Sequence, residues 1–200
     1  MTNTIFQKIS DIIKSDFKNT FAGGNVVLQD STSKNVKINK TGSFLCLQLD
    51  KRNTSIFPFF ETSIEDLCKV SDRVMIYPKT DSLFVFIVEL KSSNPTGAIK
   101  QVRASFELSK YICGTAKRML NNPTVDIKYR GLIFSHKTFK GTTKPKNLDY
   151  FQDNNSELKY RHLPSGNSFD LDTLTHWKEA LPLTFSGIEE NAINSKTPLE

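Results

Sequence analysis

The chain has 200 residues, 38% of them hydrophobic and 24% charged, and 27 Lys and Arg against 21 Asp and Glu give a net charge of +6. That length suits one domain with a substantial core, which 15 Phe help to fill, and the basic balance suits a polyanionic partner without requiring one. No apolar run reaches the ~20 residues of a membrane-spanning helix and no uninterrupted hydrophobic signal segment opens the chain, so a soluble, cytoplasmic protein is expected. The three cysteines, Cys46, Cys68 and Cys113, are far apart in apolar surroundings, which favours reduced core thiols over disulfides or a zinc site.

Ile5, Ile9, Ile12, Ile13 and Phe17 recur at helical spacing, so an amphipathic helix is expected over 3–20, stopped by Gly23-Gly24-Asn25. Short strands are expected at 26–28, 36–38 and 44–49. Ser63, followed by Glu65 and Asp66, has the composition of a capped short helix leading into Asp72. Two arms rich in β-branched and aromatic residues, 71–77 and 83–91, flank the turn-like Pro78-Lys79-Thr80-Asp81-Ser82 and read as a β-hairpin. From Ala98 the pattern turns helical: Ala98, Val102, Phe106, Ser109 and Cys113 form the buried stripe, and Gly114 is the expected stop. Val125 to Phe134 reads as a further strand. Strand, helix and strand imply a parallel pair, so the fold class is α/β: a mixed central sheet, antiparallel through the hairpin and parallel beyond it, with helices on both faces.

Antiparallel pairing in the hairpin sets Asp72 opposite Val88 or Glu89, on a strand about 4.8 Å away. Alternation puts Glu89 and Lys91 on one face while Leu90 points into the core. Asp, Glu and Lys are thereby delivered to one small volume. Two adjacent carboxylates repel unless a cation lies between them, and hard oxygen ligands suit Mg²⁺ or Mn²⁺. The same spacing recurs in Glu157-Leu158-Lys159, Asp16-Phe17-Lys18 and Asp126-Ile127-Lys128, but none of these closes a buried strand with an acid on the strand before it and a helix beyond.

Asp72, then Glu89-Leu90-Lys91 closing an apolar strand, then a helix carrying Gln101, resembles the PD-(D/E)xK nuclease superfamily. The resemblance covers roughly 61–134, and Ser71 stands where the motif has proline. It implies a restriction-endonuclease-like fold in a single nuclease-like domain over 1–200, with the catalytic core at 61–134 and elaborations on either side. It further implies that Asp72 and Glu89 hold Mg²⁺ or Mn²⁺ with the main-chain carbonyl of Leu90. Glu65, with Glu61 second, would be the added upstream acid. Lys91 would stand beside the attacking water, and Gln101 would orient that water or a phosphate.

Lys137, Lys140, Lys144 and Lys146 lie with His136 in an acid-free stretch that could follow a phosphate backbone, and Lys34, Lys37, Lys40, Lys51 and Arg52 form a weaker second patch. None of the three histidines stands near a second His or Cys at ligand spacing, and no GxSxG, P-loop or dinucleotide fingerprint occurs. The expected activity is metal-dependent hydrolysis of phosphodiester bonds in nucleic acid, DNA ahead of RNA, with a homodimer or a partner subunit as the expected assembly. By family analogy a bacterial defence or mobile-element system would use it. The alternatives are a catalytically idle nucleic-acid-binding or assembly subunit that keeps the fold, and a phosphoesterase acting on something other than nucleic acid.

Overall fold

The computed structural model describes residues 1–29, 35–40, 42–50, 57–61, 63–92, 97–135, 149–152, 157–176 and 178–179. In chain order its elements are α1 (Thr2–Ile12), β1 (Lys18–Phe21), β2 (Gly24–Leu28), β3 (Val36–Lys40), β4 (Phe44–Leu47), β5 (Arg73–Pro78), β6 (Ser82–Lys91), α2 (Ala98–Met119), β7 (Asp126–Ser135), β8 (Asp149–Gln152), β9 (Lys159–Pro164), β10 (Ser168–Asp170), α3 (Leu171–Thr175) and β11 (Lys178–Glu179). The main sheet runs β1-β4-β5-β6-β7-β9-β8-β11, and β10-β3-β2 form a second, smaller sheet. The protein is thus mixed α/β. Pairing is antiparallel from β1 through β6, parallel from β6 to β7 and from β7 to β9, and antiparallel again from β9 to β8.

The continuous apolar run of β6 explains its central place, because only a strand covered on both faces can bury every position. Leu83, Val85 and Ile87 face Ile5 and Ile9 of α1 and Val102 and Phe106 of α2. Phe84, Phe86, Val88 and Leu90 face the opposite way, against Val36 and Ile38 of β3 and Leu171 and Leu174 of α3. Helix α2 sits so close over β7 that a Cβ at Gly131 would lie 2.7 Å from Val102 Cγ1 and 2.9 Å from Tyr160 Cβ, which is why a glycine stands mid-strand there. Among the described residues no helix is long and apolar enough to cross a membrane.

Several expectations are corrected. Helices do not cover both faces alike: α1 and α2 share one, and the other carries the three-stranded sheet and the five-residue α3. The N-terminal helix ends at Ile12, where Ile13 turns extended, and a single 3-10 turn (Ser15–Phe17) leads into β1. Ile12, Ile13 and Phe17 still pack on the core, so the apolar rhythm continues on a different backbone. Gly23 and Gly24, at φ 138° and 92°, form the β1–β2 turn and stop no helix. Residues 63–68 are turns where a short helix was expected. Gly114 lies inside α2, which ends five residues later; there Asn121 and Asn122 adopt left-handed φ of 58° and 54°, and the Asn122 N–H donates to the Lys117 carbonyl at 2.7 Å.

Candidate active site

The hairpin register pairs Arg73 with Val88, so Asp72, one residue before β5, stands opposite Glu89. Alternation from Val74 and Ile87, both in the helix-side core, turns Asp72, Glu89 and Lys91 to the face that α2 covers. Asp72 Oδ2 accepts a hydrogen bond from the Leu90 N–H at 2.7 Å, which fixes its carboxylate at the edge where β5 begins. A strand residue turns its N–H and C=O to the same neighbour, so the Leu90 carbonyl faces that edge too.

Glu89 is 2% exposed. Its Oε1 accepts from Lys91 Nζ at 2.6 Å, while Oε2 is buried without a hydrogen-bond partner. Burial first, and then the charge of Asp72, push the Glu89 carboxyl up to about 7 against the opposing pull of Lys91. Lys91 Nζ also donates to Gln101 Oε1 at 2.6 Å, and Gln101 Nε2 donates to the Val70 carbonyl at 3.3 Å. Helix α2 therefore holds the ammonium in place and ties it to the chain that enters Asp72. One turn further along α2, Ser105 Oγ accepts the Ser71 N–H at 2.7 Å. A proline at position 71 has no N–H to give, so the departure from the motif coincides with a bond that only a non-proline residue can make.

Of the sequence-derived site residues, Asp72, Glu89, Lys91, Leu90 and Gln101 come together. Glu65 and Glu61 are exposed in the turns before β5, and the carboxylate of Glu61 accepts the nearby Ser63 N–H at 3.0 Å. Among the described residues, no three His, Cys, Asp or Glu side chains gather as a metal-binding group. The donor set that does assemble, two carboxylates on one face, one with an orphaned buried oxygen, and a main-chain carbonyl at the same edge, fits a hard divalent cation. Lys137, Lys140, Lys144 and Lys146 lie outside the described residues, as do Lys34, Lys51 and Arg52 of the weaker patch. Within that patch Lys37 is exposed, but Lys40 is buried, its Nζ 2.7 Å from Asp172 Oδ2, and so serves structure.

Two residues escaped sequence reasoning. Ser105 hides in the apolar stripe of α2, four residues after Gln101, and only a small polar residue on a buried helix face hints at it. His162 pairs with Ile133, which pairs with Glu89, so the three stand in one row across the parallel strands. Burial lowers the His162 imidazole to about 4 and keeps it neutral at physiological pH. Ligand spacing sets it aside with the other two histidines, because nothing local announces that β9 pairs beside β7. A groove of about 610 Å³ at the opposite end of β7, lined by Lys110, Cys113, Lys117, Tyr129 and Glu157 among others, touches none of the Asp72 group. None of the protein-family models, curated proteins or solved structures compared with the chain matches it.

Proposed function

We propose that the chain is a Mg²⁺- or Mn²⁺-dependent nuclease with a restriction-endonuclease-like core, and that it hydrolyses phosphodiester bonds. The observation that carries this reading is the buried Glu89 carboxylate, set opposite Asp72, with Lys91 held between it and Gln101. A protein that only binds gains nothing from a buried Glu89 carboxylate set beside the half-buried Asp72, since two such charges cost stability without a cation. The cation, when bound, would supply polarisation of the scissile phosphate and lower the pKa of water beside it. Asp72 and Glu89 would hold it, together with the Leu90 carbonyl. Lys91 would place its ammonium against the charge that develops on the attacking water or on the phosphate oxygens, and Gln101 would keep that ammonium aimed.

The test is incubation of labelled single- and double-stranded DNA and RNA with the protein in EDTA, Mg²⁺ or Mn²⁺. Cleavage should need the metal. Lys91→Ala should lower the rate by about 100-fold or more yet leave divalent-ion binding in place, whereas Asp72→Ala should lose both. Glu157→Ala, in the repeated Glu-Leu-Lys, should be silent. Retained nucleic-acid binding with no cleavage under any condition would reassign the chain to the idle binding subunits.

A further inference from the structure

We propose that the groove between the second half of α2 and the first residues of β7 is a secondary site for the phosphate backbone of nucleic acid, and that it holds the part of a long substrate that extends beyond the Asp72 group. The proposal rests on the nuclease reading above and adds to it a surface that favours long strands.

Strand β9 begins opposite Arg130, so Asp126 to Tyr129 of β7 run on past it, and the space they leave beside α2 is the groove of about 610 Å³. Five cations line it, Lys110, Lys117, Lys128, Arg130 and Lys159, against two acids, Asp126 and Glu157. One of those acids is already answered: Asp126 Oδ2 accepts from Ser82 Oγ at 3.0 Å and stands 3.2 Å from Lys128 Nζ. Lys110 Nζ stands 3.8 Å from Glu107 Oε2, a loose contact in which the lysine side chain stays 44% exposed. The groove thus keeps an excess of positive charge. Arg103, Lys110 and Lys117 recur every seven residues and lie along one side of α2, which carries the same charge back toward Gln101.

Gly114 lines the same groove, between Lys110 and Lys117. A glycine inside a helix is less stable than an alanine, and packing does not ask for one here: a Cβ at 114 would meet nothing within 4 Å. What the missing side chain does is leave the helix backbone bare between two ammonium groups, where a ligand can come close. None of the large hydrophobic side chains exposed among the described residues lines the groove, so it lacks the apolar and aromatic anchors that hold a protein partner. A phosphate backbone needs no such anchors, only cations it can approach. Lys117 follows Gln101 by 16 residues, which at 1.5 Å per residue is about 24 Å along the helix. A duplex covers that distance in about seven base pairs, so only a longer substrate occupies the Asp72 group and the groove at once.

The experiment titrates the full chain in EDTA with labelled DNA and RNA of about 6 and about 30 nucleotides, single- and double-stranded, over a range of salt, and follows cleavage of the same strands in Mg²⁺ or Mn²⁺. Lys110→Gln, Lys117→Gln and Lys128→Gln combined should weaken binding of the long strands by about 10-fold or more and flatten the salt slope by about 2–3. Binding of the short strands, and turnover at saturating substrate, should stay as they were. Gly114→Glu sets a carboxylate between the two lysines. It should raise the melting temperature, since a helical glycine is lost and ion pairs three and four residues apart are gained, yet weaken long-strand binding. A Gly114→Glu chain that melts higher and binds long strands as wild type does overturns the groove, as does a combined variant with an unchanged salt slope. Wild type that binds long and short strands alike, but captures polyglutamate through these lysines, overturns it in favour of an acidic protein. Groove-dependent binding with no cleavage in either metal overturns the nuclease reading and leaves the groove standing.

Discussion

Replacing Glu89 by Gln separates the strain of the site from its chemistry. In the folded chain the Glu89 carboxyl is pushed from its ordinary 4.5 up to about 7, which corresponds to about 3 kcal/mol of preference for the protonated form. The folded state holds that proton more tightly than the unfolded state, so the stabilising contribution is complete below about 4.5. It is lost as pH rises toward 7, and the curve is flat above that. Glu89→Gln keeps the shape and removes the charge, so the part of the slope due to this group should vanish. Lys91 loses one of its two partners but remains 23% exposed and can be hydrated, so little of the gain is returned. At pH 8 the variant should be more stable by up to about 3 kcal/mol, a rise of roughly 5–10 °C in melting temperature for a chain of this size, and at pH 4.5 it should match wild type. Calorimetry across pH 4–8 measures this directly. Adding Mg²⁺ at pH 8 should raise the wild-type midpoint and leave the variant where it is. Superposable pH profiles, or a variant that melts lower at pH 8, would refute the claim that a buried, strained carboxylate lies at the centre of the site.

Gly131→Ala should cost about 1–3 kcal/mol in urea unfolding, because the new methyl meets Val102 and Tyr160 below 3 Å; an unchanged midpoint would mean that α2 is not seated so closely on β7. Asp172 accepts from Lys40 (2.7 Å), Lys79 (2.6 Å) and Tyr77 (2.7 Å); burial alone would raise its carboxyl, but these bonds hold it well below the usual range. Its contribution is thus present above about pH 4 and lost as pH falls, so Asp172→Asn should lower stability at neutral pH and lose less than wild type on acidification, as read from acid-unfolding curves. Neutralising Lys137, Lys140, Lys144 and Lys146 should weaken binding on all sequences alike and flatten its salt dependence, with turnover at saturating substrate nearly unchanged.

What could be read in advance was what short stretches of sequence decide. The hairpin, its register to within a residue and the parallel return through α2 all follow from period-2 and period-3.6 patterns in 71–134, and Asp72, Glu89, Lys91 and Gln101 inherit their places from them. The failures lie where long-range packing overrode a local signal. The rhythm of Ile12, Ile13 and Phe17 is satisfied by a turn and an extended strand, since burial rewards contact with the core and not helicity itself. Gly114 is tolerated inside α2 because the helix is held by the sheet beneath it. The second sheet was invisible because β3 pairs in parallel with β10, some 130 residues away, and no local pattern announces a partner that distant.

Ser71 shows most clearly why the site needed the fold to be understood. Judged on the motif, it is a missing proline and counts against the resemblance. In the structure its N–H is bonded to Ser105 and its neighbour Val70 accepts from Gln101, so α2 grips both residues that precede Asp72. A proline rigidifies the approach to a catalytic acid by restricting φ; here two hydrogen bonds from a helix already fixed by its apolar stripe restrain the same segment. A proline and this pair of bonds restrain the segment before an acid by different physics. A substitution at Ser105 should therefore disturb Asp72 as a substitution in β5 itself would, although the two serines lie 34 residues apart in the chain.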